Sequence, residues 1–128
     1  MTNPAWNENP QTRRAEWVRR LRSGDYKQGR GQLRNKNDRY CCLGVLCEMA
    51  AEVGVVNARP LRYGWDYGGS VGTLPPAVRE WSGVRGDTGF IKPKEGSADD
   101  LVMLNDDEGY TFKRIADVIE SGALEVAA

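Results

Sequence analysis

Two groups of side chains in this chain have the types and spacing to do chemistry. The first is Tyr26-Lys27-Gln28-Gly29-Arg30-Gly31 with Arg34, Arg39 and Tyr40, running into an apolar stretch at Cys41. Glycines let a ligand approach the backbone, arginines grip phosphate bidentately, and a helix start offers free N–H groups to an anion. Tyr26, Tyr40 and Trp65 have the rings to stack a base, and Gln28 and Asn105 the amides to read polar edges. The same residues also fit a basic hairpin whose tyrosines pack on the core. The second group is Asn105-Asp106-Asp107-Glu108. Clustered carboxylates can hold Mg²⁺ or act as acid and base. They equally suit an acidic turn before a capped helix, and the ligand spacing of an EF-hand is missing.

Other chemistries are excluded by composition. The chain has no histidine, which removes Ser-His-Asp and Cys-His nucleophilic catalysis and His-ligated zinc. Cys41, Cys42 and Cys47 lack the C-x₂-C pairing of structural zinc sites, so no metal is expected. Neither a P-loop nor a GxGxxG with an acidic ribose partner is present, so no cofactor is expected. Three cysteines, two of them adjacent, read as reduced thiols with a packing role.

The elements that must position these residues follow from periodicity and punctuation. Asn9-Pro10 predicts a capped helix start, Trp17, Val18 and Leu21 an apolar stripe, and Ser23-Gly24 the stop. Tyr40 to Glu52 predicts a nearly all-round apolar helix, hence a buried central one, and Gly44 within it predicts close approach by another element. Gln32-Leu33-Arg34 and Val55-Val56 have strand character, while Gly64 to Gly69 reads as a turn carrying two surface or pocket aromatics. Leu74-Pro75-Pro76 opens a short helix closed by Ser82-Gly83, and Phe90-Ile91 reads as a short strand. Ser97 with Asp100 resembles a capping box before Leu101. Thr111 caps a last helix facing the core through Phe112, Ile115, Ala116 and Ile119. The expected architecture is α+β: one compact domain over 1–128, four to five helices around a central buried helix, with short β-hairpins and a flexible tail over 1–9.

With 128 residues, 40% hydrophobic and 28% charged, the chain is of ordinary size and composition for a globular domain. No apolar run approaches the roughly 18 residues of a membrane span. The N-terminus lacks the pattern of a signal peptide, so the expected location is the cytoplasm. Net charge is zero but uneven. Arg13 to Arg39 holds ten basic residues against three acids, and Glu95 to Glu125 holds nine acids against two basic residues. The two ends either attract each other across the fold or leave the basic one open to an anionic ligand. The neutral total argues against general nucleic-acid binding.

Tyr26-Lys27-Gln28-Gly29-Arg30-Gly31 followed by Arg39-Tyr40-Cys41-Cys42-Leu43-Gly44-Val45-Leu46-Cys47 resembles a family of small bacteriophage-encoded proteins. Leu74-Pro75 before Trp81, Leu104-Asn105-Asp106 and Phe112 with Ile115-Ala116 extend the likeness from Trp17 to Ile119. The resemblance implies a phage accessory protein in a bacterial host cytoplasm; such proteins often antagonise bacterial immunity, and one way is to sequester nucleotide signals. The expected function is a non-catalytic, homo-oligomeric sponge for an anionic nucleotide-like ligand. In that reading Arg30, Arg34 and Arg39 grip phosphate, Tyr26, Tyr40 and Trp65 stack, and Gln28, Asn105 and Asp106 complete the site. The alternatives are a small enzyme cleaving a nucleotide signal with Asp106 and Asp107, or a protein inhibitor of a host defence enzyme. The inhibitor would use the Arg13 to Arg22 face or the Trp65-Tyr67 loop.

Overall fold

The computed structural model describes residues 3–127. It contains five α-helices, a short 3₁₀ turn and three two-stranded sheets, an α+β domain. The helices are α1 (Pro10–Ser23), α2 (Cys42–Glu52), α3 (Pro76–Ser82), α4 (Leu101–Asp106) and α5 (Phe112–Glu120). Strands β1 (Lys27–Gln28) and β2 (Arg39–Tyr40) pair in parallel. Strands β3 (Ala58–Leu61) with β4 (Gly64–Tyr67), and β5 (Phe90–Glu95) with β6 (Ala98–Asp100), pair antiparallel.

Helix α2 is the centre. Leu43, Val45, Leu46, Cys47 and Met49 are all fully buried, and each large apolar side chain so buried contributes about 1.5–3 kcal/mol. Gly44 is there because Leu33 crosses it: a Cβ at Gly44 would lie 1.7 Å from the Leu33 carbonyl oxygen. Leu33 is held on its other side by its N–H donating to Val71 O at 2.8 Å. Trp17 of α1 anchors the next layer, fully buried, with Nε1–H donating to Cys42 O at 2.9 Å.

Local punctuation explains the ends of α1. Asn9 and Thr12 form a reciprocal capping box, Pro10 opens the helix, and Gly24 closes it in the left-handed conformation at φ 81°. Thr111 caps α5 as expected, accepting from Arg114 N–H. At α4 the cap is Asp100 itself, which accepts from Met103 N–H at 2.8 Å. Ser97 does not cap this helix; strand β6 continues to Asp100, and the Ser97 hydroxyl donates to Glu108 at 2.6 Å.

Four further expectations are corrected. The tail expected over 1–9 is packed on the fold through Trp6 and Asn7, residues 1 and 2 lying outside the described residues. Trp6 meets Trp81 edge-to-face at 6.2 Å, and Asn7 Oδ1 accepts from Arg13 and from Trp81 Nε1–H. The segment Gly64–Tyr67 is a strand and not a turn, because its backbone pairs along Ala58–Leu61; this buries Tyr67 completely. The Arg34–Tyr40 hairpin forms, closed by Asn35 N–H donating to Arg39 O at 2.9 Å, but β1 joins β2 in parallel. Val55-Val56 precedes the strand, which begins at Ala58.

Candidate functional site

The β1–β2 pair brings the expected binding residues to one region, because Gln28 stands in register with Tyr40 and Lys27 with Arg39. From there they divide into two groups with different roles.

On one side lies a closed polar network. Gln28 Nε2 donates to Asn105 Oδ1 and to Tyr110 O, both at 2.8 Å, and Phe112 N–H donates back to Gln28 Oε1 at 3.1 Å. Asn105 is only 1% exposed. Its Oδ1 also accepts from Cys42 N–H at 3.3 Å, and its Nδ2 donates to Gly29 O and to Asp106 Oδ1 at 2.8 Å each. Asp106 Oδ2 accepts from Gly31 N–H at 3.2 Å. The network exists because loop Gly29–Gly31, the start of α2 and the α4–α5 turn meet with backbone groups that no ladder satisfies. Buried backbone donors and acceptors must find partners. Gln28, Asn105 and Asp106 therefore join the fold together, which corrects their assignment as readers of a ligand. It also corrects the free helix start at Cys41, since Cys42 N–H is taken by Asn105 and Gly44 N–H by Cys41 O.

On the other side is an alternation of rings and cations. Arg13 lies over Trp81 at 5.2 Å, and Arg20 lies over Trp6 at 5.2 Å while donating to the Tyr26 hydroxyl. Tyr26 meets Tyr40 edge-on at 5.2 Å, and Arg34 lies over Tyr40 at 5.1 Å and over Trp65 at 3.8 Å. Arg34 is paired with Asp38 at 2.9 Å and Glu48 at 3.5 Å, and Glu48 accepts from the Tyr67 hydroxyl. Burial alone would lower the Arg34 pKa, but these phenol and carboxylate neighbours raise it overall. Burial likewise pushes Tyr40 up to about 12. Arg34 thus lies against both the Tyr40 and the Trp65 rings with its charge paired, and Tyr40 is buried, so neither is open to grip phosphate or stack a base. Arg30 and Arg39 are exposed and in no ion pair among the described residues.

Beyond Trp65 the structure opens a cleft of about 370 Å³ lined by Gln32, Leu61, Arg62, Tyr63, Gly64, Trp65 and Val71. Three large apolar side chains stand exposed around it: Leu61 at 42%, Tyr63 at 66% and Val71 at 47%. Gln32 Oε1 is buried and has no hydrogen-bond partner. Its amide reaches this position because Gly64 has no Cβ; one there would lie 2.7 Å from Oε1. Arg62 covers the Tyr63 ring at 5.3 Å. Sequence reasoning found Trp65 but missed Gln32, Leu61, Arg62, Tyr63 and Val71. The signal available was the apolar-polar alternation from Leu61 to Trp65, which the flanking glycines disguised as a turn.

The three cysteines are free, buried thiols. Burial pushes the Cys41 thiol up to about 12 and raises Cys42 and Cys47 well above the usual range. No group of three or more His, Cys, Asp or Glu side chains could hold a metal among the described residues. No helix there is long and apolar enough to cross a membrane.

No curated protein and no solved structure matches the chain. Residues 10–123 match the family model described as Domain of unknown function (DUF8296), and the chain belongs to that family.

Proposed function

We propose that this chain is a non-catalytic binding protein for an anionic, nucleotide-like ligand, and that it works by sequestration as a phage-encoded accessory protein. The observation that carries the reading is the unpartnered Gln32 amide oxygen in a cleft walled by Trp65 and Tyr63. A buried acceptor without a donor costs about 1–3 kcal/mol. A planar ring bearing an N–H recovers that cost while stacking on indole or phenol, and Arg62 supplies charge for its anionic group. The bacteriophage resemblance supplies the context for sequestration. Asp106, bound to Gly31 N–H and Asn105, weighs against the cleavage alternative.

A panel of cyclic oligonucleotides and ADP-ribose-derived compounds tests this by thermal shift, with mass spectrometry of the bound molecule. A binder at a hundred times its dissociation constant adds about 2.7 kcal/mol, a rise of roughly 5–15 °C at this size. The expected result is a shift with ligand recovered intact, lost in Gln32→Leu and in the Arg62→Ala, Tyr63→Ala double variant. No shift across the panel, or a shift that Gln32→Leu retains, overturns the assignment of this cleft. The exposure of Leu61, Tyr63 and Val71 favours a second reading, an inhibitor docking this hairpin on a host enzyme. A host protein captured by the wild type and lost on Tyr63→Ala supports it.

A further inference from the structure

A second cavity, of about 540 Å³, lies between α3, the start of β5 and the C-terminal segment, with Arg79, Arg85, Val84, Phe90 and Glu125 in its wall. Its frame is fixed by backbone bonds: Arg85 N–H donates to Glu125 O at 3.0 Å, and Glu125 N–H to Phe90 O at 2.8 Å. Arg79 Nε is buried without a hydrogen-bond partner. Neither Arg79 nor Arg85 forms an ion pair among the described residues, although Glu125 shares the wall. A guanidinium presents five N–H donors, and leaving a charged donor desolvated and unpaired is costly. An evolved core usually removes such a cost by substitution or by supplying an acceptor.

We propose that this cavity is a second binding site, distinct from the Trp65 cleft, for a monoanionic carboxylate carried on an aromatic or apolar group. Arg79 lines the cavity, and the fork of its two terminal nitrogens matches a carboxylate bidentately, with Nε–H behind it as the reporter. Two guanidinium charges against the Glu125 carboxylate leave a single positive charge, which suits a monoanion better than a phosphate dianion. Val84 and the Phe90 ring, which is 44% exposed, provide the apolar wall that such a ligand's body covers.

Sodium benzoate is the probe, titrated into the full ¹⁵N-labelled chain while the Arg79 Nε–H resonance is followed, that signal being assigned by its loss in Arg79→Leu. The expected result is a saturable shift of that resonance by benzoate. Affinity, followed at neighbouring backbone amides, falls about tenfold or more in Arg79→Leu and also falls in Arg85→Ala. Because Arg79 Nε is buried with no hydrogen-bond partner in the unliganded fold, Arg79→Leu leaves the unliganded melting temperature unchanged or raises it. Absence of a saturable shift overturns the site. So does a lowered melting temperature in Arg79→Leu, since the guanidinium would then be serving the fold. Inorganic phosphate binding as tightly as benzoate overturns the carboxylate class.

Discussion

Asn105 occupies both ends of its amide inside the protein, and its removal strands several partners at once. In Asn105→Ala, Cys42 N–H and Gln28 Nε2 lose an acceptor while Gly29 O and the Asp106 carboxylate lose a donor. Each orphaned buried group costs about 1–3 kcal/mol, so the variant loses at least about 3 kcal/mol, read from the urea unfolding midpoint. An unchanged midpoint would show that the network carries no stability. The thiols give a second test at this scale. Because desolvation holds all three above their ordinary range, a disulfide reagent at mildly alkaline pH meets little thiolate. The native chain is expected to leave Cys41, Cys42 and Cys47 unmodified, and the chain in denaturant to react at all three. Rapid labelling of one native thiol would contradict the burial of α2.

At the scale of elements, the contact between α2 and the Gln32–Arg34 segment leaves less room for a Cβ at Gly44 than there is at any other glycine among the described residues. Gly44→Ala places a methyl group 1.7 Å from Leu33 O, where only backbone stands to give way. The expected cost is at least about 3 kcal/mol, measured by thermal unfolding, because overpacking against backbone forces the elements apart. Gly44 could be read from sequence because glycine weakens a helix interior, so one inside an apolar helix marks a place where a neighbour needs the space. Asn9, Pro10 and Gly24 were equally legible, since their effects act within one turn. Ser97 and Asp100 could not be separated, since both are capping types and only the extent of β6 decides between them. Gly64 to Gly69 misled because glycines mark turns locally, whereas pairing with Ala58–Leu61 is set by residues outside the stretch. The binding residues failed for a related reason. Gln28 and Asn105 have ligand-reading chemistry, but the distant groups they satisfy lie 63 to 84 residues away in sequence.

For the molecule as a whole, the uneven charge of the sequence is partly resolved by contact between its basic and acidic ends. Arg22 of α1 pairs with Asp117 at 2.8 Å and Glu120 at 3.1 Å on α5. The Glu120 carboxyl is held below its ordinary range chiefly by the hydrogen bond from Arg22. A depressed carboxylate pKa stabilises the fold above its unfolded value, and the contribution fades as pH falls through the folded one. The difference in stability between wild type and Arg22→Ala is therefore expected to shrink on acidification through the carboxylate range and on adding salt, as screening acts on exposed pairs. A difference constant in both pH and salt would assign the Arg22 effect to packing. The long-range network around Asn105 also bears on how the chain is made. Asn105 bonds Gly29 and Cys42, 76 and 63 positions earlier. At translation rates of about 5–20 residues per second, the first third of the protein waits roughly 4–15 s on the ribosome before its partner is synthesised. During that interval the most apolar segment of the nascent chain stands without the Asn105 network that closes over its start, and closure of the domain is a late event of synthesis.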